Sequence, residues 1–472
     1  MKTTKRHLHP LAILVFWGRY IISWFIIILL SLFTDHGEWN ETAMVVVIIL
    51  LVILLFAVFK YWWYRYEIGD QAITIYTGVI FRKQRHVPYN RIQTLQLQQW
   101  LFLKPFHAVS VQLETAGQSH DQAEAVLPVV SQHVVDQLQL LVNGEQPLSD
   151  EVPEVVDNRY QISWSDLNTY ALTSMGIIPI LLGLLWLYGK LDDLVSKSVM
   201  DETINVVLHF GVLVIVGLAV LLIIAGLLVS YLTIVQRYYH FILTKKGDRL
   251  HTEKGFFQRN TITASESRIQ AVVMRQTVLR QLLGLISVQL VLVSSAAKEE
   301  DQDNLVMLPV IDQSRVAIVN QFVSWVPAKL PALTRLTVAG KYRLMRNAVL
   351  LSLIPIIPLV YWLRPWGWLS LLLLPIALIM GWYAGRYMGV KRLDHQLLVL
   401  QTGHHFQRDT TIVPKRCIQS VTIEQTYWMR RVGLCHLQVN IRHGDGKEMV
   451  EVRYLPLQTA KDVYQWYRTK YN

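Results

Sequence analysis

Six long apolar runs interrupt this chain, at approximately 11–33, 43–59, 169–188, 206–235, 347–363 and 368–385. Each is long enough, or nearly so, to cross a hydrocarbon core as a helix. The chain is 52% hydrophobic and only 17% charged. Its apolar residues are gathered into these runs, so part of the chain belongs in lipid. The runs form three pairs with short connectors, "TDHGEWNET", "GKLDDLVSKSVMDETIN" and "RPWG", and a polar segment of domain size follows each pair. A length of 472 residues also suits three domains at about 150 residues each.

"MKTTKRH" resembles the basic start of a secretory signal, but the apolar stretch after it is too long and no small-residue cleavage site follows. A retained anchor is expected. The formal charge of +11 is concentrated at one set of helix ends, for example Lys5, Arg6, Lys60, Arg65, Arg237, Lys341, Arg386 and Lys391. The connectors carry the acids Asp35, Glu38, Glu41, Asp192, Asp193, Asp201 and Glu202. The positive-inside rule then places both termini and the polar segments in the cytoplasm. Membrane topology explains the pI of about 9.4 without nucleic acid, because the basic residues form no continuous stripe. With only Cys417 and Cys435, no disulfide framework or cysteine-based zinc site is available.

The polar segments repeat one another. "NRIQTLQLQQ" (90–99), "SRIQAVVMRQ" (267–276) and "RCIQSVTIEQ" (416–425) align on Ile92, Ile269 and Ile418, separated by 177 and 149 residues, a spacing that fits tandem domains. Gln93, Gln270 and Gln419 follow the isoleucine directly, and Gln99, Gln276 and Gln425 come seven residues after it. Arg82, Arg259 and Arg408 lie ten before it, and Gln112, Gln289 and Gln438 twenty after. Gly78, Gly255 and Gly403 separate two short β-like runs upstream, and alternating segments such as "ISVQLVLVSS" follow downstream. Each copy closes on Leu-Pro (Leu127-Pro128, Leu308-Pro309, Leu455-Pro456) and a tail with helical apolar spacing.

The expected fold is an α+β membrane protein in which three transmembrane hairpins each precede a small β-barrel or sandwich with one C-terminal helix. The boundaries read from the chain are hairpins at 1–60, 169–235 and 347–388, modules at 61–145, 236–327 and 389–472, and linkers at 146–168 and 328–346.

Hairpins followed by a β-module carrying "G…R…(P)xxRIQ…Q" and ending in "LP" plus a helix resemble the bacterial PH-like (bPH2) domain family, once a domain of unknown function, in its YdbT-like arrangement of three modules and six helices. The resemblance implies a PH-like fold in each module, multi-pass anchoring in a bacterial cell membrane, no known catalytic activity, and a smaller one-module membrane partner of YdbS-like type. Ser265 stands where the other copies have Pro88 and Pro414, and Cys417 where they have Arg91 and Arg268. Those departures argue against one common ligand for all three modules.

Arg82, Lys83, Arg85 and His86 cluster near the first hairpin of module 1, where PH-like folds gather donors for phosphorylated head groups. Arg259 and Arg408 recur at the same place without the full cluster. Against a lipid pocket stands the simpler reading that basic residues face an anionic leaflet anyway. The glutamines, neutral and non-nucleophilic, suit structural hydrogen bonding or, less simply, a strand edge that accepts a partner. "YWWYRY" (61–66), "RYYHF" (237–241) and "WYAGRY" (382–387) read as interfacial belts, and Arg19 as a snorkelling residue. No phosphate loop, nucleophile elbow or metal-ligand spacing is present, so no catalytic residue, metal or cofactor is expected. The leading expectation is a non-enzymatic scaffold that binds membrane lipids, its own modules in homo- or hetero-oligomers, or a smaller PH-domain protein, serving envelope maintenance or stress tolerance. A transporter of lipid or peptide is the alternative, disfavoured because the runs hold almost no ionisable residue beyond Arg19 and His209.

Overall fold

A computed structural model of the chain describes residues 5–34, 39–78, 81–115, 125–143, 158–174, 212–293, 304–362, 366–394, 396–404, 406–443 and 446–469. In the first third, β1 (Arg6–His7) leads into the apolar helices α1 (Ala12–Thr34) and α2 (Trp39–Trp63). Strands β2 (Arg65–Ile68), β3 (Ala72–Thr77), β4 (Lys83–Pro88), β5 (Ile92–Trp100), β6 (Ala108–Thr115) and β7 (Ala125–Ser131) follow, closed by α3 (Gln132–Asn143). The second third runs β8 (Asn158–Gln161), α4 (Trp164–Thr173), α5 (Val212–Tyr238), β9 (Ile242–Lys246), β10 (Arg249–Lys254), β11 (Gln258–Ser265), β12 (Ile269–Gln276), α6 (Val278–Leu282), β13 (Leu285–Leu292), β14 (Leu305–Asp312) and α7 (Ile318–Phe322). The last third runs β15 (Thr334–Arg335), α8 (Val338–Trp362), α9 (Leu373–Tyr387), β16 (Gly389–Leu393), β17 (Leu397–His404), β18 (Gln407–Pro414), β19 (Ile418–Glu424), α10 (Tyr427–Arg430), β20 (Leu434–His443), β21 (Gly446–Pro456) and α11 (Leu457–Arg468).

The strands form four antiparallel sheets, ordered β1-β2-β3-β4, β7-β6-β5-β11-β10-β9-β8, β14-β13-β12-β18-β17-β16-β15 and β19-β20-β21. Each repeat therefore supplies a four-stranded and a three-stranded sheet facing each other across a core. The three-stranded sheet of one repeat joins, edge to edge, the four-stranded sheet of the next. Both seven-stranded sheets are shared between neighbours, an arrangement that tandem-domain spacing alone does not reveal. A second difference is that β1, β8 and β15 precede the helices. The segments expected as linkers, 146–168 and 328–346, thus contain β8, β15 and the starts of α4 and α8, so the helical insertion sits inside the sheet domain.

Alternation along each strand builds three cores. Ile73, Ile75, Val87, Leu95, Val111, Leu113, Val135 and Leu138 fill the first. In the second and third the neighbours interpenetrate: Val399 and Ile412 of the last repeat pack in the middle core, while Ala271, Val273 and Val291 of the middle repeat pack in the last. Between the first two repeats the corresponding wall is polar, with Thr94, Gln96, Ser110, Gln112 and Glu114 buried. The Leu-Pro pairs of the first two repeats lie on the edge strands β7 and β14, where register shifts interrupt the ladder with β6 and β13; proline is tolerated at such places.

Among the described residues, three helical stretches are long and apolar enough to span a membrane: Met44–Trp63, Val338–Trp362 and Gly367–Tyr387. α1 packs along α2 and α8 along α9. The second contact is close because Gly381 and Gly385 have no side chain; a Cβ on Gly381 would lie 2.6 Å from Met345 Cα. Of the run expected at 169–188, residues 169–173 end α4, Ser174 leaves the helix with ψ 123°, and the remainder lies outside the described residues. The buried Arg280 receives that helix end, donating to Tyr170 O (3.4 Å), Thr173 Oγ1 (3.0 Å) and Ser174 Oγ (2.9 Å).

The closing helices α3 and α11 form as expected, but the tail of the middle repeat makes only the five residues of α7. The Glu266 carboxylate accepts the Ser324 N–H (2.7 Å) and hydroxyl (2.5 Å), and Asn320 Nδ2 donates to Val326 O (2.6 Å), which draws the chain out of helical register.

Candidate interaction site at the joints between repeats

The repeated ten-residue motif has a local explanation. A single 3₁₀ turn (Tyr89–Arg91, Glu266–Arg268, Lys415–Cys417) ends the four-stranded sheet, and Ile92, Ile269 and Ile418, all buried, begin the three-stranded one. The isoleucine therefore marks the crossing between layers. Gln93 lies second in β5; Gln270 Nε2 donates to Arg268 O (3.2 Å), and Gln419 is exposed while its carbonyl accepts the Tyr467 hydroxyl (2.9 Å).

The glutamines seven residues on perform one task three times. Gln99, Gln276 and Gln425 each donate from Nε2 to the carbonyl nine residues ahead, at Ala108 (3.3 Å), Leu285 (2.8 Å) and Leu434 (2.6 Å). This bond staples the irregular connector between two strands. In Gln276 the oxygen of the same amide faces the next repeat. Arg259 stands opposite Gln99 and Arg408 opposite Gln276 across the shared sheet. Arg408 Nε donates to Gln276 Oε1 at 3.0 Å, and its second nitrogen contacts the same oxygen. One step along, Arg275 Nε lies 3.3 Å from the Asp409 carboxylate. Arg259 pairs instead with Glu253. Burial pulls the pKa of Arg408 down, but a guanidinium starts so far above neutrality that it keeps its charge, 5.0 Å from the Tyr387 ring centroid.

The basic cluster expected in module 1 lies on and just before β4. Arg82, immediately before the strand, and Lys83, Arg85 and His86 on it are all exposed. The Arg82 guanidinium lies over Trp63 at 5.4 Å, and His86 Nδ1 is 3.0 Å from Thr74 Oγ1. A denser group of donors lies in a cleft of about 440 Å³ at the first joint, where Lys246, Arg249, His251 and Arg268 meet Tyr89 and Gln139.

Apolar tips form a further surface, one that strand and helix periodicity does not report. The connector between the first two strands of each three-stranded sheet exposes Leu101 and Phe102, Leu282 and Leu283, and Tyr427 and Trp428. The neighbouring hairpins expose Phe81, Phe256 and Phe257. At the first joint the tips sit at the end of α5: Phe256 N donates to Gln236 O (3.0 Å), Gly255 N to Tyr239 O (2.9 Å) and Leu101 N to Phe257 O (2.8 Å). Phe406 lies 5.8 Å from Tyr383 of α9, centroid to centroid.

Apolar helices inserted into paired-sheet modules, with the modules fused edge to edge, define a membrane protein with a repeated PH-like architecture. The chain belongs to the bacterial PH domain family, bPH_2, whose pattern matches residues 18–146, 204–324 and 344–471. It is 25% identical, over 493 aligned positions and 99% of both chains, to the UPF0699 transmembrane protein YdbT of Bacillus subtilis (strain 168). No solved structure matches it.

Proposed function

We propose that this protein is a non-enzymatic, multi-pass membrane scaffold with six helices in three hairpins, its termini and modules cytoplasmic, and its modules holding lipid and protein at the inner leaflet in support of the envelope. The observation that carries the reading is the set of exposed apolar tips, those of the first joint at the end of α5. Solvated loops rarely gather Phe, Trp and Leu in this way, whereas side chains at head-group depth gain from burial there. Lys104, Arg430 and Arg431 lie in the same connectors, suited to anionic head groups. Lipid contact on this reading runs through the tips, with the basic cluster on β4 left for another task. A photo-activated crosslinker placed at Leu101, Phe256 or Trp428 of the full-length protein in native membranes should label lipid. The same probe at Gln139, in the cleft of the first joint, should not. Absence of lipid adducts at all three tips would remove the basis for this reading.

Transport of lipid or a hydrophobic peptide is the second reading, favoured by one feature. A cavity of about 820 Å³ lies between α8 and α9 and the last joint, lined by Leu344, Leu351 and Met380 on one side and Arg275, Asp409 and Arg453 on the other. Substrate-dependent flux in proteoliposomes containing the purified protein would establish it over the scaffold.

A further inference from the structure

Among the described residues, two strands lack the neighbour that their counterparts possess. β11 and β18 hold the place in their repeats that β4 holds in the first, and each is paired on its outer side, β11 with β5 and β18 with β12. β4 is the edge of its sheet among the described residues. In the same way β5 and β12 correspond to β19, the edge of the last sheet. Among the described residues the first and last repeats thus present the unfilled halves of a joint that the chain makes twice internally. We propose that β4 of one chain pairs with β19 of a second copy, antiparallel and in the register of the internal joints.

The register is set by counting from the anchor isoleucines. In both internal joints the residue ten before the anchor stands opposite the residue seven after the preceding one, as Arg259 with Gln99 and Arg408 with Gln276. The same rule sets Arg82 opposite Gln425, Lys83 opposite Glu424 and Arg85 opposite Thr422. The chemistry agrees at each step. Gln425 makes the staple to Leu434 O as Gln276 does to Leu285 O, yet Gln276 is buried beneath Arg408 and Gln425 is exposed. Lys83 and Glu424 occupy the positions of Asp409 and Arg275, an ion pair with its signs exchanged.

Against the second joint, exposure follows pairing. Arg82 through His86 are exposed, whereas Asp409 to Ile412 of β18 are buried; Thr422 is exposed, whereas its counterparts Gln96 and Val273 are buried. Charges on an edge strand commonly serve to prevent pairing. Here they would do so for β4 against another β4, since Arg82, Lys83 and Arg85 would meet their own kind, while a β19 edge with Glu424 in register accepts them. Head-to-tail pairing is a heterologous contact, which closes into a ring or continues as a filament. Copies inserted the same way in one membrane already share the orientation it requires.

The proposal rests on the scaffold reading and names its partner; its failure leaves the lipid test of the apolar tips unaffected. The experiment uses full-length chains with two different tags, coexpressed and oxidised in native membranes. One carries Arg85→Cys and the other Thr422→Cys; the native Cys417 and Cys435 are buried and contribute little background. A disulfide between the two tags is expected, and none when Ser420→Cys replaces Thr422→Cys, because cysteines two residues out of register cannot meet disulfide geometry. Lys83→Glu should abolish co-purification of the two tags, and adding Glu424→Lys in the same chain should restore it. Solely single-chain particles, crosslinks indifferent to register, or a Thr422→Cys adduct with a different small membrane protein would each overturn the second-copy assignment.

Discussion

Gln276 and Gln425 are the same residue of the repeat in two environments, so their contributions separate two effects. Gln276→Ala takes the side-chain donor from the Leu285 carbonyl and the amide acceptor from the half-buried Arg408 guanidinium, whereas Gln425→Ala removes an exposed side chain that bonds only the Leu434 carbonyl. The expected cost is about 2–3 kcal/mol for the first and about 1 kcal/mol for the second, read as shifts in the unfolding midpoint in detergent. Equal shifts would show that the Arg408 contact adds nothing. His436 offers a pH test. Burial holds its imidazole pKa below the ordinary value, outweighing the pull of Glu451 and Glu424, and its Nδ1 accepts the Tyr454 N–H at 3.2 Å. A base with a lowered folded pKa stabilises the fold fully above its unfolded value and loses that contribution as pH falls through the folded value. Thermal stability should therefore decline as pH drops below about 6.5, and His436→Gln should flatten the decline. An unchanged slope in that variant would assign the pH dependence elsewhere.

Among the elements, the first hairpin of each repeat turns on its glycine in two cases of three. Gly78 has φ 100° and Gly255 φ 111°, and a Cβ on Gly255 would come within 2.0 Å of Gln258 O. In the last repeat the left-handed residue is Phe406 instead, and Gly403 serves close packing on α9. Gly255→Ala is thus expected to cost on the order of 1–3 kcal/mol and to increase amide exchange in β10 and β11, while Gly403→Ala should leave the hairpin's exchange pattern intact. The recurring glycine was legible from the sequence; its change of job was not, because a backbone angle leaves no mark on residue type. The same contrast runs through the motif. Anchor isoleucines, strands and the apolar runs announce themselves by periodicity. The pairing of Arg259 with Gln99 across repeats 160 positions apart does not, since a polar residue at a joint reads like one in solvent. β8 and β15, four and two residues long, are too short to carry a period.

At the scale of the whole molecule, the shared sheets decide whether the repeats behave as beads or as one body. The second joint is apolar: Ile412, fully buried, extends from β18 into the middle core, while Val273 reaches from β12 into the last. The first joint buries Gln96 and Glu114 instead, which gain less from leaving water. The middle and last repeats should therefore unfold together, with the first more separable. Ile412→Ala tests this directly. It removes a side chain contributed by the last repeat and should cost about 2–4 kcal/mol, comparable to other large-to-small core changes. If the shared sheet couples the repeats, amide protection should fall in β13 of the middle repeat as much as in β17 and β18, and stay unchanged in β6 of the first. Loss confined to residues after 389 would mean that the modules are independent domains that happen to touch along an edge, and a scaffold assembled by strand pairing would then lack the rigidity that makes one joint's register predict the next.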